Sequence, residues 1–130
     1  MSKILTNDEI NQFKKDGAIF LKGKFDINWI KKLEKGIARD IKNPSPRFKS
    51  HTIEKDVPAY LEDYWTWDLV PEFKDFVFNS PYAQIASELM SAKKINLVMD
   101  NWFLREGGSK SSTPFHHDIK IGRASCRERV

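Results

Sequence analysis

Polar and apolar positions alternate in blocks that predict most of the elements. Thr6-Asn7-Asp8-Glu9 has the spacing of a capping box, with Thr6 as N-cap and Glu9 at N3. Ile10 and Phe13 follow on one face, and Gly17 is placed to close this first helix in a left-handed conformation. The short apolar run at 18–21 predicts a strand. Asp26 is the predicted N-cap of a second helix over 27–41, where Ile27, Ile30, Leu33, Ile37 and Ile41 recur at intervals of three and four. That stripe leaves Lys31, Lys32, Glu34 and Lys35 toward water. Pro44 and Pro46 end the helix. Residues 47–70 sustain no period and predict irregular chain, with Tyr60, Tyr64, Trp65 and Trp67 gathered in it. One or two helical turns are expected over 72–78. Ser80 and Pro81 then read as N-cap and N1 of a helix to about Ala92, with Tyr82, Ile85, Ala86, Leu89 and Met90 as its stripe. Residues 95–105 predict a long strand: Ile95, Leu97 and Met99 alternate with other side chains, and Trp102 and Leu104 continue one side. A polar loop fills 107–113, and 115–120 reads as the start of another strand. No internal repeat is evident.

A length of 130 residues suits one domain or a piece of one, and 40% apolar with 31% charged residues excludes collagen-like, disulfide-dense and low-complexity classes. No apolar run approaches the roughly 18–20 residues that cross a bilayer, so no membrane partner is expected. Met1-Ser2-Lys3-Ile4 leads into polar sequence, which points to a cytoplasmic protein without a secretory signal. Residues 121–130 differ from the rest: they hold Arg123, Arg127, Arg129 and the lone cysteine, Cys126, of the chain. Ten consecutive codons in one frame of a common sequencing adapter encode the same peptide. We therefore expect 121–130 to be a non-native tail and 1–120 to be the N-terminal part of a single domain; a genomic continuation encoding 121–130 would refute this. Without the tail the net charge falls from +4 to +2, because its three arginines outweigh Glu128. That leaves no cysteine chemistry and no basic footprint for nucleic acid. Gly107-Gly108 lacks a following Lys-Ser/Thr and opens no helix, so it is not a phosphate loop.

The chemically informative stretch is Pro114-Phe115-His116-His117-Asp118. Side chains two apart on an extended strand share a face, so His116 and Asp118 point one way and His117 the other. A neutral imidazole beside a carboxylate supplies two legs of the two-histidine, one-carboxylate triad that holds non-haem Fe(II) and leaves positions open. The other histidine, His51, lies upstream in the irregular stretch and is expected to be solvated. A surface hydrogen-bonded pair is the plainer reading of the same two residues.

The order of these motifs resembles the N-terminal part of the phytanoyl-CoA dioxygenase-like family. The likeness rests on Leu5-Thr6-Asn7-Asp8-Glu9-Ile10 with Phe13 and Gly17-Ala18, then Trp102-Phe103-Leu104-Arg105-Glu106-Gly107-Gly108, then Thr113-Pro114-Phe115-His116-His117-Asp118. It implies an α+β chain: N-terminal helices plus the first strands of a double-stranded β-helix (a jelly roll, cupin-like), truncated here. It further implies an oxygenase that uses Fe(II), O2 and 2-oxoglutarate on a small organic substrate. By this resemblance His116 and Asp118 match two iron ligands, and Trp102 falls where the family places a residue beside the 2-oxoglutarate. Tyr64, Trp65 and Trp67 match a pocket-lining region more loosely. Asp118 speaks against the halogenase branch, in which a small residue replaces the carboxylate. The remaining histidine and an arginine for 2-oxoglutarate have no counterpart in this sequence, so the chain alone is expected to be inert. The alternative is a non-catalytic α+β interaction module with a structural His116–Asp118 pair. Substrate and oligomeric state are not legible.

Overall fold

The computed structural model describes residues 2–52 and 58–113. Four helices and a small antiparallel sheet follow the order α1 (Asn7–Asp16), α2 (Ile27–Lys42), β1 (Lys49–Ser50), β2 (Tyr60–Tyr64), α3 (Pro71–Asn79), α4 (Tyr82–Met90) and β3 (Asn101–Arg105). The α+β class is as expected; a jelly roll is not established by three strands.

Helix boundaries follow the caps. The Glu9 amide donates to Thr6 Oγ1 at 3.2 Å and the Thr6 amide to Glu9 Oε2 at 2.7 Å, closing the capping box. Gly17, at φ 75°, donates to the Phe13 carbonyl. Asp26 caps α2 through the Asn28 amide at 2.7 Å. At α4 the capping position is Pro81 rather than Ser80, although the Ser80 hydroxyl still accepts from the Tyr82 amide at 3.2 Å. Residues 18–21 form no strand: Phe20 is 86% exposed, and an apolar run without a neighbouring strand cannot satisfy its backbone in a ladder.

The sheet runs β1-β2-β3, with Lys49 opposite Glu62, Leu61 opposite Leu104 and Asp63 opposite Trp102. Two of these strands lie within 47–70, where the sequence predicts irregular chain. The reason is Asp63. The inward-facing set of β2 is Leu61 and Asp63, and a fully buried aspartate breaks the apolar alternation that marks a strand. The predicted strand over 95–105 is shortened to Asn101–Arg105, because its partner β2 ends at Tyr64 and the chain turns at Trp65, φ 56°.

One sheet face packs on helices and the other faces outward. Val70, Phe73 and Trp102 form the buried centre, with Leu33, Ile37 and Ile41 of α2 and Leu61, Phe48, Trp67 and Leu104 packed around it. The outer end of the α2 stripe stays in water, with Ile27 60% and Ile30 42% exposed. Helix α1 docks on α4, where the Glu88 carboxylate accepts the Ile4 and Leu5 amides. Helix α2 meets α3 at Gly36, where an added Cβ would lie 2.5 Å from Phe73 Cε1 and 2.8 Å from its Cδ1. Gly36→Ala is therefore expected to destabilise by about 1–3 kcal/mol through overpacking, overriding the roughly 1 kcal/mol that alanine gains in a helix. A urea midpoint that rises in this variant would show that the two helices do not meet closely.

Candidate functional site

His116, His117 and Asp118 lie outside the described residues, as does the predicted strand at 115–120. Trp102 is described, and it faces the helices. Its side chain is 7% exposed and its indole N–H donates to Asp40 Oδ2 at 2.8 Å. The single polar atom of Trp102 is thus committed within the fold, and only its ring remains to border a bound molecule. That ring forms part of the wall of a cleft of about 340 Å³ whose apolar lining includes Phe76, Tyr82, Leu97 and Met99.

Three aspartates meet behind Trp102. Asp40 comes from α2, Asp63 from β2, and Asp100 from the residue before β3. Asp63 accepts the Ser45 amide at 3.0 Å, the Ser45 hydroxyl at 2.7 Å and the Tyr64 amide at 2.8 Å. Asp100 accepts the Thr66 amide and hydroxyl, both at 2.9 Å. Each carboxylate ties a turn to the sheet. The sequence carried one signal of this cluster: Asp40 lies three residues after Ile37 and beside Ile41, on the apolar stripe of α2. Asp63 and Asp100 had no such mark.

Burial raises the Asp40 carboxyl above its ordinary range; the Trp102 N–H opposes this, and the neighbouring Asp63 and Asp100 add to it. A raised folded-state value means that the folded chain holds this proton more tightly than the unfolded chain does. The Asp40 contribution is therefore fully present below the ordinary carboxylate value, about 3.9, and is lost as pH rises through the raised one. Asp40→Asn cannot lose a proton, so its stability relative to the parent is expected to increase from pH 4 to pH 8. A difference in urea midpoint that is flat over that range would contradict the assignment. Glu72 behaves oppositely: the Arg39 guanidinium, bonded at 2.9 Å to both carboxylate oxygens, holds it below its ordinary range, so its contribution is lost on acidification.

The outer face of the sheet carries Tyr60, Glu62 and Tyr64 of β2 and Phe103 and Arg105 of β3. His51 is 40% exposed at its side chain, stacks on Tyr60 at 4.9 Å between ring centres, and places Nε2 3.1 Å from Glu62 Oε1. Arg105 lies over the Tyr60 ring rather than pairing with Glu106, whose carboxylate accepts the Ala59 amide at 2.7 Å. The chain after β3 crosses toward this face: the Ser111 hydroxyl donates to the His51 carbonyl at 2.5 Å, and the Tyr60 and Thr113 hydroxyls lie 3.0 Å apart.

The aromatic cluster divides between the two sides. Trp67 packs on the core and meets Phe78 edge-on, whereas Tyr64 and Trp65 lie together at the surface with ring centres 5.9 Å apart. Trp65 occupies the left-handed region, a conformation that costs a bulky residue about 1–3 kcal/mol and persists only when its surroundings hold it. Its amide donates to the Asp100 carbonyl at 3.0 Å, and Arg47 donates to the Tyr64 carbonyl at 2.9 Å and the Trp65 carbonyl at 2.7 Å. Arg47 was not singled out from the sequence, which gives no sign of a contact across the α2–β1 connection.

Among the described residues, no three histidine, cysteine, aspartate or glutamate side chains converge as a metal-holding group, and no helix is long and apolar enough to cross a membrane. No family model, no curated protein and no solved structure matches this chain.

Proposed function

We propose that the chain is the N-terminal part of a cytoplasmic non-haem Fe(II)- and 2-oxoglutarate-dependent dioxygenase that hydroxylates a small organic substrate. The observation that carries this reading is the His116-x-Asp118 pair. It starts three residues after Thr113, the residue tied to Tyr60 on the outer face of the sheet. The support is therefore a metal-competent pair following a strand and a connection that leads to the outer face of the sheet.

In this reading His116 Nε2 or Nδ1 and an Asp118 carboxylate oxygen hold the iron. When bound, the iron and its cosubstrate supply O2 activation coupled to decarboxylation of 2-oxoglutarate, the chemistry needed for an unactivated C–H bond. The residues of the chain hold geometry and exclude water. Trp102 faces the helices, on the side of the sheet opposite Tyr60 and Phe103, so in this reading it supports the site from behind: its indole N–H bond to Asp40 positions β3. The Tyr60–Phe103 pair, with ring centres 6.3 Å apart, furnishes an apolar floor. In this reading the third ligand, the second histidine of the triad, and an arginine for the far carboxylate would come from outside the present sequence.

The test is anaerobic Fe(II) binding by the purified chain and by two variants. The parent is expected to take up Fe(II) weakly, and His116→Ala and Asp118→Ala are each expected to reduce that uptake at least tenfold. Uptake equal in all three proteins, or none in the parent, sinks the iron assignment. Conversion of 2-oxoglutarate to succinate by this chain alone would contradict the need for a third ligand.

A further inference from the structure

We propose that Arg47, Lys49, Tyr64 and Trp65 form a binding site for a small aromatic carboxylate, independent of any metal. Three features on one patch of the surface point to it. The first is a fixed cation with no anion beside it among the described residues. Arg47 spends two of its five N–H donors on the Tyr64 and Trp65 carbonyls, which are neutral, and no carboxylate pairs with it among the described residues. Those two bonds hold the guanidinium in one orientation and leave its remaining donors for a ligand, so little side-chain freedom is lost on binding.

The second feature is the indole itself. Trp65 is 47% exposed and contributes nothing to the buried centre, yet it occupies a φ of 56° that a glycine would adopt without strain. Bonds from Arg47 on one side and to Asp100 on the other keep it there. A bulky ring retained at a strained, surface position is displayed rather than packed. The Arg47 guanidinium carbon lies 5.7 Å from the centre of that ring.

The third feature is the repeat of the pairing two residues on. Lys49 Nζ lies 5.4 Å from the centre of the Tyr64 ring and a loose 3.9 Å from Glu62. Two cations and two ring faces, with Tyr64 and Trp65 inclined at 64°, complement a molecule that is flat, apolar in its body and anionic at one end. The carboxylate meets the free donors of Arg47 as a fork, with Lys49 adding charge, while the ring lies on the indole. A bare inorganic anion would leave both rings unused, and an uncharged aromatic would leave the guanidinium unpaired.

The experiment titrates 2-naphthoate into the full chain, with 2-naphthamide as an uncharged analogue of the same shape, and follows the tryptophan indole N–H signals by NMR. Naphthoate is expected to move the Trp65 signal and to bind at least tenfold more tightly than naphthamide. Trp65→Gly relieves the strained φ, so it is expected to keep the parent's urea midpoint or raise it, and to weaken naphthoate at least tenfold. Lys49→Gln, which removes only an exposed charge with its loose Glu62 pair and its contact with the Tyr64 ring, is expected to weaken it about threefold. Equal binding of acid and amide, undiminished binding by a folded Trp65→Gly, or shifts confined to Trp102 and the apolar cleft would each overturn the proposal. None of these readings involves iron, so failure here and failure of the oxygenase reading are distinct results.

Discussion

Trp102→Ala is expected to lower unfolding free energy by about 3–5 kcal/mol through the void left in the core. The indole sits between Val70 and Phe73 and the strand residues Leu61 and Leu104, where no neighbour can collapse into its place without leaving another contact. The loss is also chemical. Asp40 is 3% exposed and receives the Trp102 N–H, and a buried carboxylate stripped of a donor costs a further ~1–3 kcal/mol. Domains of this size are stable by about 5–15 kcal/mol, so the variant is expected to be partly unfolded without denaturant. Trp102→Phe separates the two effects: it keeps most of the ring and removes only the N–H, for an expected loss of about 1–3 kcal/mol. Urea unfolding followed by far-UV dichroism measures both. A Trp102→Ala midpoint within about 1 kcal/mol of the parent would show that the indole is not a core residue.

Replacing Asp63 is expected to be nearly as damaging. Its side chain is fully buried, and three donors converge on it: the Ser45 amide, the Ser45 hydroxyl and the Tyr64 amide. Asp63→Ala removes the acceptor from all three and leaves a void, for an expected cost of about 3 kcal/mol or more. The variant also releases the α2–β1 connection from β2, so amide exchange at Ser45 and Arg47 is expected to accelerate. Asp63→Asn retains one acceptor oxygen but turns an amide toward N–H donors, and falls between parent and alanine variant. Because Asp40 and Asp63 are neighbours, their effects are not expected to add. If Asp63→Ala unfolds at the parent's urea concentration, the carboxylate is dispensable and the cluster is not what ties the layers together.

These two side chains matter to the candidate chemistry through rigidity. Strand β3 precedes His116 and Asp118 in the sequence, and β3 is held to α2 by Trp102 and to β2 by its ladder. A site is precise only when its supporting elements are locked by packing and hydrogen bonds. The aspartate cluster and the surface pair Arg47–Trp65 share the same turn: Asp100 accepts the Trp65 amide on its carbonyl and Thr66 on its carboxylate.

Local chemistry was sufficient for the helices. Thr6, Glu9 and Gly17 bound α1 because capping depends on residues within one turn, and the intervals from Leu33 to Ile41 identify the buried side of α2 because a helical face repeats along the chain itself. The expectation for His116 and Asp118 has the same local origin, a spacing of two positions in the sequence, and it lies outside the described residues. What tertiary structure alone decided is non-local. Whether 95–105 is a strand throughout depends on where β2 stops, and 18–21 stays out of the sheet for want of a partner. A buried aspartate looks like a surface residue until its donors arrive from elsewhere, so β2 and the Asp40–Asp63–Asp100 cluster left almost no periodic trace. Hydrogen-bond partners separated by 17 to 62 residues, as in Arg47 with Tyr64 and Asp40 with Trp102, leave no mark on sequence spacing. Only closure of the chain brings them within 3 Å.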